Sequence, residues 1–138
     1  GSNDSEMLNN FGFSDVLITN LAPHGNHLDY TRYQWQKADL KQLKFKNNSF
    51  DFVILSAALH HMYSPHRGLG EMLRIARKGI VVMEPSDSLI SKIARKLGFV
   101  PDYEIDAILR TGTGGVENSH IPNFIYRLTE SEVKKNNK

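Results

Sequence analysis

The chain has 138 residues, 40% of them hydrophobic and 23% charged, which suits one globular domain with a real core and is too little for two. With 17 basic and 15 acidic residues the formal charge is only +2, so the charge balance gives no reason to expect nucleic acid as a partner, and the lack of cysteine excludes disulfides, thiolate metal ligands and a thiol nucleophile. No apolar run approaches the ~18 residues of a membrane span and the start is polar, so the expectation is a soluble, cytoplasmic chain with no membrane partner.

Residues 1–5 read as a tag-like or disordered start and 134–138 as a polar tail, around a single domain. Residues 6–10 read as the end of a helix, with Gly12 placed to supply a left-handed cap. Val16, Leu17 and Ile18 lie inside a predicted buried strand, 14–21, that ends at Thr19-Asn20, and Pro23, Gly25 and Asn26 then break the chain. Residues 33–38 alternate in polarity as a strand near a sheet edge does, with Asp39 at its end.

Residues 50–55, FDFVIL, form a nearly continuous apolar stretch, the pattern of a parallel strand covered on both faces. After a loop holding His60 and His61, Pro65 opens a predicted helix over about 66–77, with Leu69, Met72, Leu73 and Ile75 as its apolar stripe and Gly79 as its stop. Residues 80–83 read as a second apolar strand, halted at Glu84-Pro85. Ser86 or Asp87 caps the next helix, which carries Leu89, Ile90, Ile93, Ala94 and Leu97 and closes at Gly98. A short helix over 103–109, a flexible loop over 111–115 and a last helix begun by the capping-box spacing of Thr129 and Glu132 complete the pass. Strands alternating with helices predict an α/β fold with a mainly parallel sheet.

In open parallel sheets ligands bind beyond the carboxyl ends of the strands, which directs attention to Asn20, Asp39, Ser56, Ala57 and Glu84. The stretches ADLKQLKF (38–45) and SFDFVILSAALHHM (49–62), followed by EMLRIAR (71–77) and GIVVMEP (79–85), resemble the third, fourth and fifth strand regions of class I S-adenosylmethionine-dependent methyltransferases of the type 11 kind. The likeness covers roughly 14–97. It implies a Rossmann-like sheet flanked by helices, and S-adenosylmethionine as cofactor.

The resemblance also implies roles. Asp39 would accept a hydrogen bond from the adenine amino group, with the Leu40 backbone beside the ring; a short carboxylate suits an exocyclic amine. Ser56, Ala57 and His61 would lie along the methionine part of the cofactor, His60 would face the substrate, and His60 and His61 are the candidate catalytic residues. Asn20 stands where such enzymes carry an acid for the ribose hydroxyls, and one amide replaces bidentate acceptance. The first strand and its glycine-rich turn would lie before residue 1, and an antiparallel strand pair after Lys138. The sheet is therefore expected to be incomplete, and unpaired edges predict self-association into a homo-oligomer.

Plainer readings accompany each residue. Asp39 is also a common turn residue, Glu84-Pro85 also a simple strand stop, and Arg74, Arg77 and Lys78 also a solvated helix end complementing its dipole. Tyr126-Arg127 could line a pocket or pack with the arginine exposed. No metal site is expected, because adjacent histidines rarely point at one ion and cysteine is lacking. The glycines of 112–115 follow a helix and cannot stand in for a cofactor loop.

The segments EPSDS (84–88), DYE (102–104) and IPNFIYR (121–127) resemble methyltransferases of polysaccharide biosynthesis, which implies a small-molecule or glycan-like acceptor. A non-catalytic, self-associating module of the same fold is the alternative. A nicotinamide-binding domain ranks behind both, since its fingerprint needs a glycine-rich turn of its own.

Overall fold

Two parallel strand pairs and the turns at their carboxyl ends carry most of the polar residues singled out above. The computed structural model describes residues 2–21, 33–125, 127, 129 and 131. They divide into two units, residues 1–44 and 45–138.

In the first unit, α1 (Ser2–Asn10) begins at Ser2, ahead of the helix end expected over 6–10. Gly12, at φ 80°, ends it as expected: its N–H reaches the Asn9 carbonyl at 2.9 Å and the Phe13 N–H returns to Leu8 at 3.1 Å. Strand β1 (Leu17–Asn20) pairs in parallel with β2 (Gln34–Lys37), Ile18 opposite Trp35 and Asn20 opposite Lys37. Buried Tyr33 donates its hydroxyl to the Phe13 carbonyl at 2.7 Å, fixing the start of β2 to the segment after α1. The break expected at Pro23, Gly25 and Asn26 lies outside the described residues.

The second unit opens with β3 (Phe50–Ser56), continues through α2 (Pro65–Ile75), and returns as β4 (Ala76–Met83), parallel to β3 with Ile54 opposite Val81 and Ser56 opposite Met83. Leu69, Met72 and Ile75 are buried on one face of α2, at a spacing that keeps them in register on a helix, and this face covers the β3–β4 pair. Proline at the first helical position needs no donor there.

Between α2 and β4 the boundaries differ from the sequence reading. The helix stops at Ile75, not near Arg77, and β4 starts at once, with a bulge that shifts the register between Phe50 and Phe52. Arg77 and Lys78 consequently sit on the strand and pair with Asp51, Lys78 at 2.6 Å, instead of ending a helix. Arg74 alone remains in the last turn, where its guanidinium grips both Glu71 oxygens at 2.7 and 2.8 Å and the Phe45 carbonyl at 2.7 Å.

Helix α3 (Leu89–Lys96) takes Ser88 as its cap, Oγ accepting from the Ser91 N–H at 3.1 Å, where Ser86 or Asp87 was expected. Gly98, at φ 78°, closes it. The helix predicted over 103–109 is instead a two-residue strand, β5 (Tyr103–Glu104), followed by α4 (Asp106–Thr111). Strand β6 (Asn123–Phe124) pairs with β5 antiparallel, setting Asn123 opposite Glu104. Arg127 is nearly buried, donating to the Pro101 and Ile125 carbonyls at 2.9 and 3.1 Å, contrary to the exposed arginine expected, while Tyr126 lies outside the described residues. So does most of the expected last helix, including Glu132. The architecture is α/β, and the strands pair among the described residues as three two-stranded sheets, two of them parallel.

Candidate functional site

The carboxyl ends of β3 and β4 meet in a buried polar cluster. β3 ends at Ser56, and Ala57 continues the pairing by donating its N–H to the Met83 carbonyl at 2.9 Å. Ala57 then turns the chain with a positive φ of 48°, a left-handed conformation that costs a residue with a Cβ on the order of 1 kcal/mol or more. This turn throws Leu59–His61 into one turn of 3-10 helix beside the end of β4.

Glu84, the residue after β4, holds that turn. One carboxylate oxygen accepts the Ala58 and Leu59 N–H groups at 2.6 and 2.7 Å, and the other meets His60 Nδ1 at 2.6 Å. The side chains of Glu84 and His60 are 3% and 6% exposed, so three charge-assisted contacts replace water around a buried carboxylate. Burial pushes the Glu84 carboxyl up, but His60 and the two N–H groups outweigh it and leave it below its ordinary value. The same hydrogen bond raises His60 above its ordinary value against the opposing effect of burial, and the charges of Glu84 and Glu104 add to the rise.

On its far side His60 presents Nε2 to Glu104 Oε2 at 3.3 Å, and His61 Nε2 lies 3.6 Å from the same oxygen. The two imidazoles stack with centroids 4.3 Å apart and planes tilted by 37°. The premise that adjacent histidines diverge therefore fails here: the tight 3-10 turn brings both ring edges to one carboxylate. Burial lowers His61 below its ordinary value, with His60 adding to the effect. Asn123, 1% exposed, donates Nδ2 to the His60 carbonyl at 3.3 Å, tying β6 to the turn. An open cleft of about 340 Å³ borders His60 and is walled by Met62, Tyr63, His66, Val116 and Phe124.

The other sequence-predicted residues occupy the carboxyl end of the β1–β2 pair in the first unit. The Asn20 carbonyl accepts the Ala38 N–H at 3.0 Å, which carries the chain directly into Asp39. Asp39 Oδ1 accepts the Lys41 N–H at 2.9 Å and Oδ2 lies 3.7 Å from Lys41 Nζ. This is the turn-forming use of aspartate, and it leaves the carboxylate partly exposed beside half-buried Leu40. Within each unit the geometry gathers what the sequence reading named: Asn20, Asp39 and Leu40 in the first, Ser56, Ala57, His60 and His61 in the second.

Sequence reasoning missed Glu104 and Asn123 and left Glu84 between two readings. Both partners come from short strands far along the chain, so no local pattern marks them. Glu84 carried a signal, an acid at the carboxyl end of an apolar strand one residue before proline.

Residues 6–83 match the family described as Methyltransferase domain. The chain is also similar to a demethylmenaquinone methyltransferase from Clavibacter sepedonicus, 35% identical over 66 residues that cover 46% of this chain and 27% of that protein. It thus spans about a quarter of the length of this curated relative. With more than half of its residues matched, including both parallel strand pairs and the turn at His60, the chain belongs to the methyltransferase domain family, whose members use S-adenosylmethionine.

Proposed function

We propose that the chain forms part of an S-adenosylmethionine-dependent methyltransferase acting on a small-molecule or glycan-like acceptor. The observation that carries this reading is the buried Glu84–His60 pair at the carboxyl ends of two parallel strands, beside a turn with strained Ala57, in a chain of this family. Each parallel pair, β1–β2 and β3–β4, is by itself a pairing of the kind a Rossmann-like sheet contains.

In this reading Asn20 serves the ribose, Asp39 and Leu40 the adenine, and Ser56, Ala57 and His61 the methionine end. The methyl group passes from the sulfonium to an acceptor oxygen, leaving S-adenosylhomocysteine, and the acceptor proton goes to a neutral imidazole. His61 suits that step because it borders Glu104 while half-buried and its pKa is lowered by burial, whereas His60 is gripped on both nitrogens and orients the turn. The cleft walled by Tyr63 and Phe124 offers flat apolar surface to a ring, and the related enzyme's name gives demethylmenaquinone as its acceptor.

The test is a calorimetric titration of S-adenosylhomocysteine into the chain and into Asp39→Ala. Saturable binding weakened about tenfold or more by the substitution, the loss of roughly one hydrogen bond to a charged acceptor, is expected. Heat indistinguishable from dilution at millimolar ligand sinks the cofactor assignment.

A second reading rests on a different observation. Phe52, Ile54, Val81 and Met83 leave one face of the β3–β4 pair exposed, and Leu89, Ile90, Ile93 and Leu97 are exposed along α3. A non-catalytic, self-associating scaffold would use these surfaces.

A further inference from the structure

We propose that His60, His61 and Glu104 form a binding site for a divalent first-row transition ion, zinc being the best match. Each of the three side chains offers one donor atom, a ring nitrogen or a carboxylate oxygen, and these lie within 4.8 Å of one another. Zinc bonds to nitrogen and oxygen run about 2.0–2.1 Å, so donor atoms at neighbouring corners of a tetrahedron are separated by roughly 3.3 Å. The two edges to Glu104 Oε2 are 3.3 and 3.6 Å, already close to that spacing.

The surroundings of these donors carry the inference further. An imidazole that ligates a metal through one nitrogen ordinarily gives its other N–H to a carboxylate or a backbone group, which fixes the tautomer and the ring plane. His60 has this partner in Glu84, at 2.6 Å from Nδ1, and Glu84 is itself locked by the Ala58 and Leu59 N–H groups. His61 hydrogen-bonds the backbone of Gly115. With Nδ1 held by Glu84, His60 Nε2 faces Glu104 Oε2 at 3.3 Å, and a cation that displaces the proton between them would bond to both atoms. A dication also balances the charges of Glu84 and Glu104, the two carboxylates that face the imidazole pair.

An independent observation comes from β6. Asn123 Oδ1 is buried without a hydrogen-bond partner among the described residues, although the side chain is 1% exposed and stands opposite Glu104 in the strand pair. A buried amide oxygen left unpaired costs about 1–3 kcal/mol, and a water on the ion is a donor of the kind it lacks. Three protein ligands with a fourth position open to an oxygen donor is the arrangement of catalytic rather than structural zinc. Half-buried His61 and Glu104 leave that position accessible. With the ion bound both imidazoles are ligands, and the oxygen group on the ion takes over the base role given above to His61. The site itself does not depend on methyl transfer, because its test contains neither cofactor nor acceptor.

The experiment is titration of zinc into the chelator-treated, full 138-residue chain by calorimetry, repeated with cobalt to read the visible bands of a tetrahedral ion. One ion per chain is expected, with binding at least about tenfold weaker in Glu104→Gln and in His61→Ala, and about 10–100-fold weaker in the positioning variant Glu84→Gln. Circular dichroism checks that each variant is folded. Histidine ring NMR of the unaltered chain needs no variant: zinc should shift the Nε2 resonances of His60 and His61. No binding at about 100 µM zinc, unmoved His60 and His61 resonances, or wild-type affinity in folded Glu104→Gln and His61→Ala overturns the proposal.

Discussion

Glu84 Oε2 sits 2.6 Å from His60 Nδ1, joining the residue just after one apolar strand to the turn that follows its parallel neighbour. The pair is almost fully enclosed, so its loss cannot be repaired by water. Glu84→Gln keeps the shape but removes the charge from three hydrogen bonds and turns an amide N–H₂ toward either the histidine or the backbone donors. The expected loss of stability is about 2–3 kcal/mol, measured by urea denaturation. A change below about 0.5 kcal/mol would mean that the carboxylate is not holding the turn.

The same pair sets a pH window for the metal-free chain. His60 is raised, so its contribution is fully present below its unfolded value near 6.5 and is lost as pH rises through the folded value. Glu84 is lowered, so its contribution is present above its unfolded value near 4.5 and is lost as pH falls through the folded value. Burial lowers His61, which opposes protonation beside His60, and Glu104 favours it. The contribution of the His60–Glu84 pair is therefore greatest between about pH 4.5 and 6.5. Denaturation midpoints across pH 4–8 for the chain and for His60→Gln test this: the difference between them should narrow toward both ends, and a constant difference refutes it.

Met72 has no exposed surface and anchors the face of α2 that covers the strands. Met72→Ala should cost about 2–5 kcal/mol through lost burial and the cavity left behind, read as a shift in the urea midpoint with little change in slope. Substitution of exposed Tyr63 to Ala at the cleft wall should cost much less.

The apolar side chains of α3 give a prediction about association. Ile93→Asp places a charge among Leu89, Ile90 and Leu97, all exposed, without breaking the Ser88 cap. If copies associate through this face, sedimentation should show a concentration-dependent species in the original chain that the variant lacks. A concentration-independent monomer in both removes support for the scaffold reading.

Much of the frame was readable because it rests on local signals. The FDFVIL run gave β3, the proline at 65 gave the start of α2, and Gly12 and Gly98 marked helix ends by needing a positive φ. The end of α2 was misplaced because Ala76, Arg77 and Lys78 suit a helix intrinsically, and pairing with β3 and Asp51 overrides that preference. For the site, His60 and His61 were visible as a doublet after an apolar strand. Glu104 was not, because its position depends on a two-residue strand held by Asn123 and Phe124, and such pairing leaves no periodic trace in the sequence.

The family match ends at residue 83, one residue before Glu84, and Glu104 and Asn123 follow later still. The histidines thus come from the matched segment, while Glu84, Glu104 and Asn123, which hold them, come from the stretch after it. The basicity and ligand preference of the histidine doublet are therefore tuned by side chains that follow the strand presenting it.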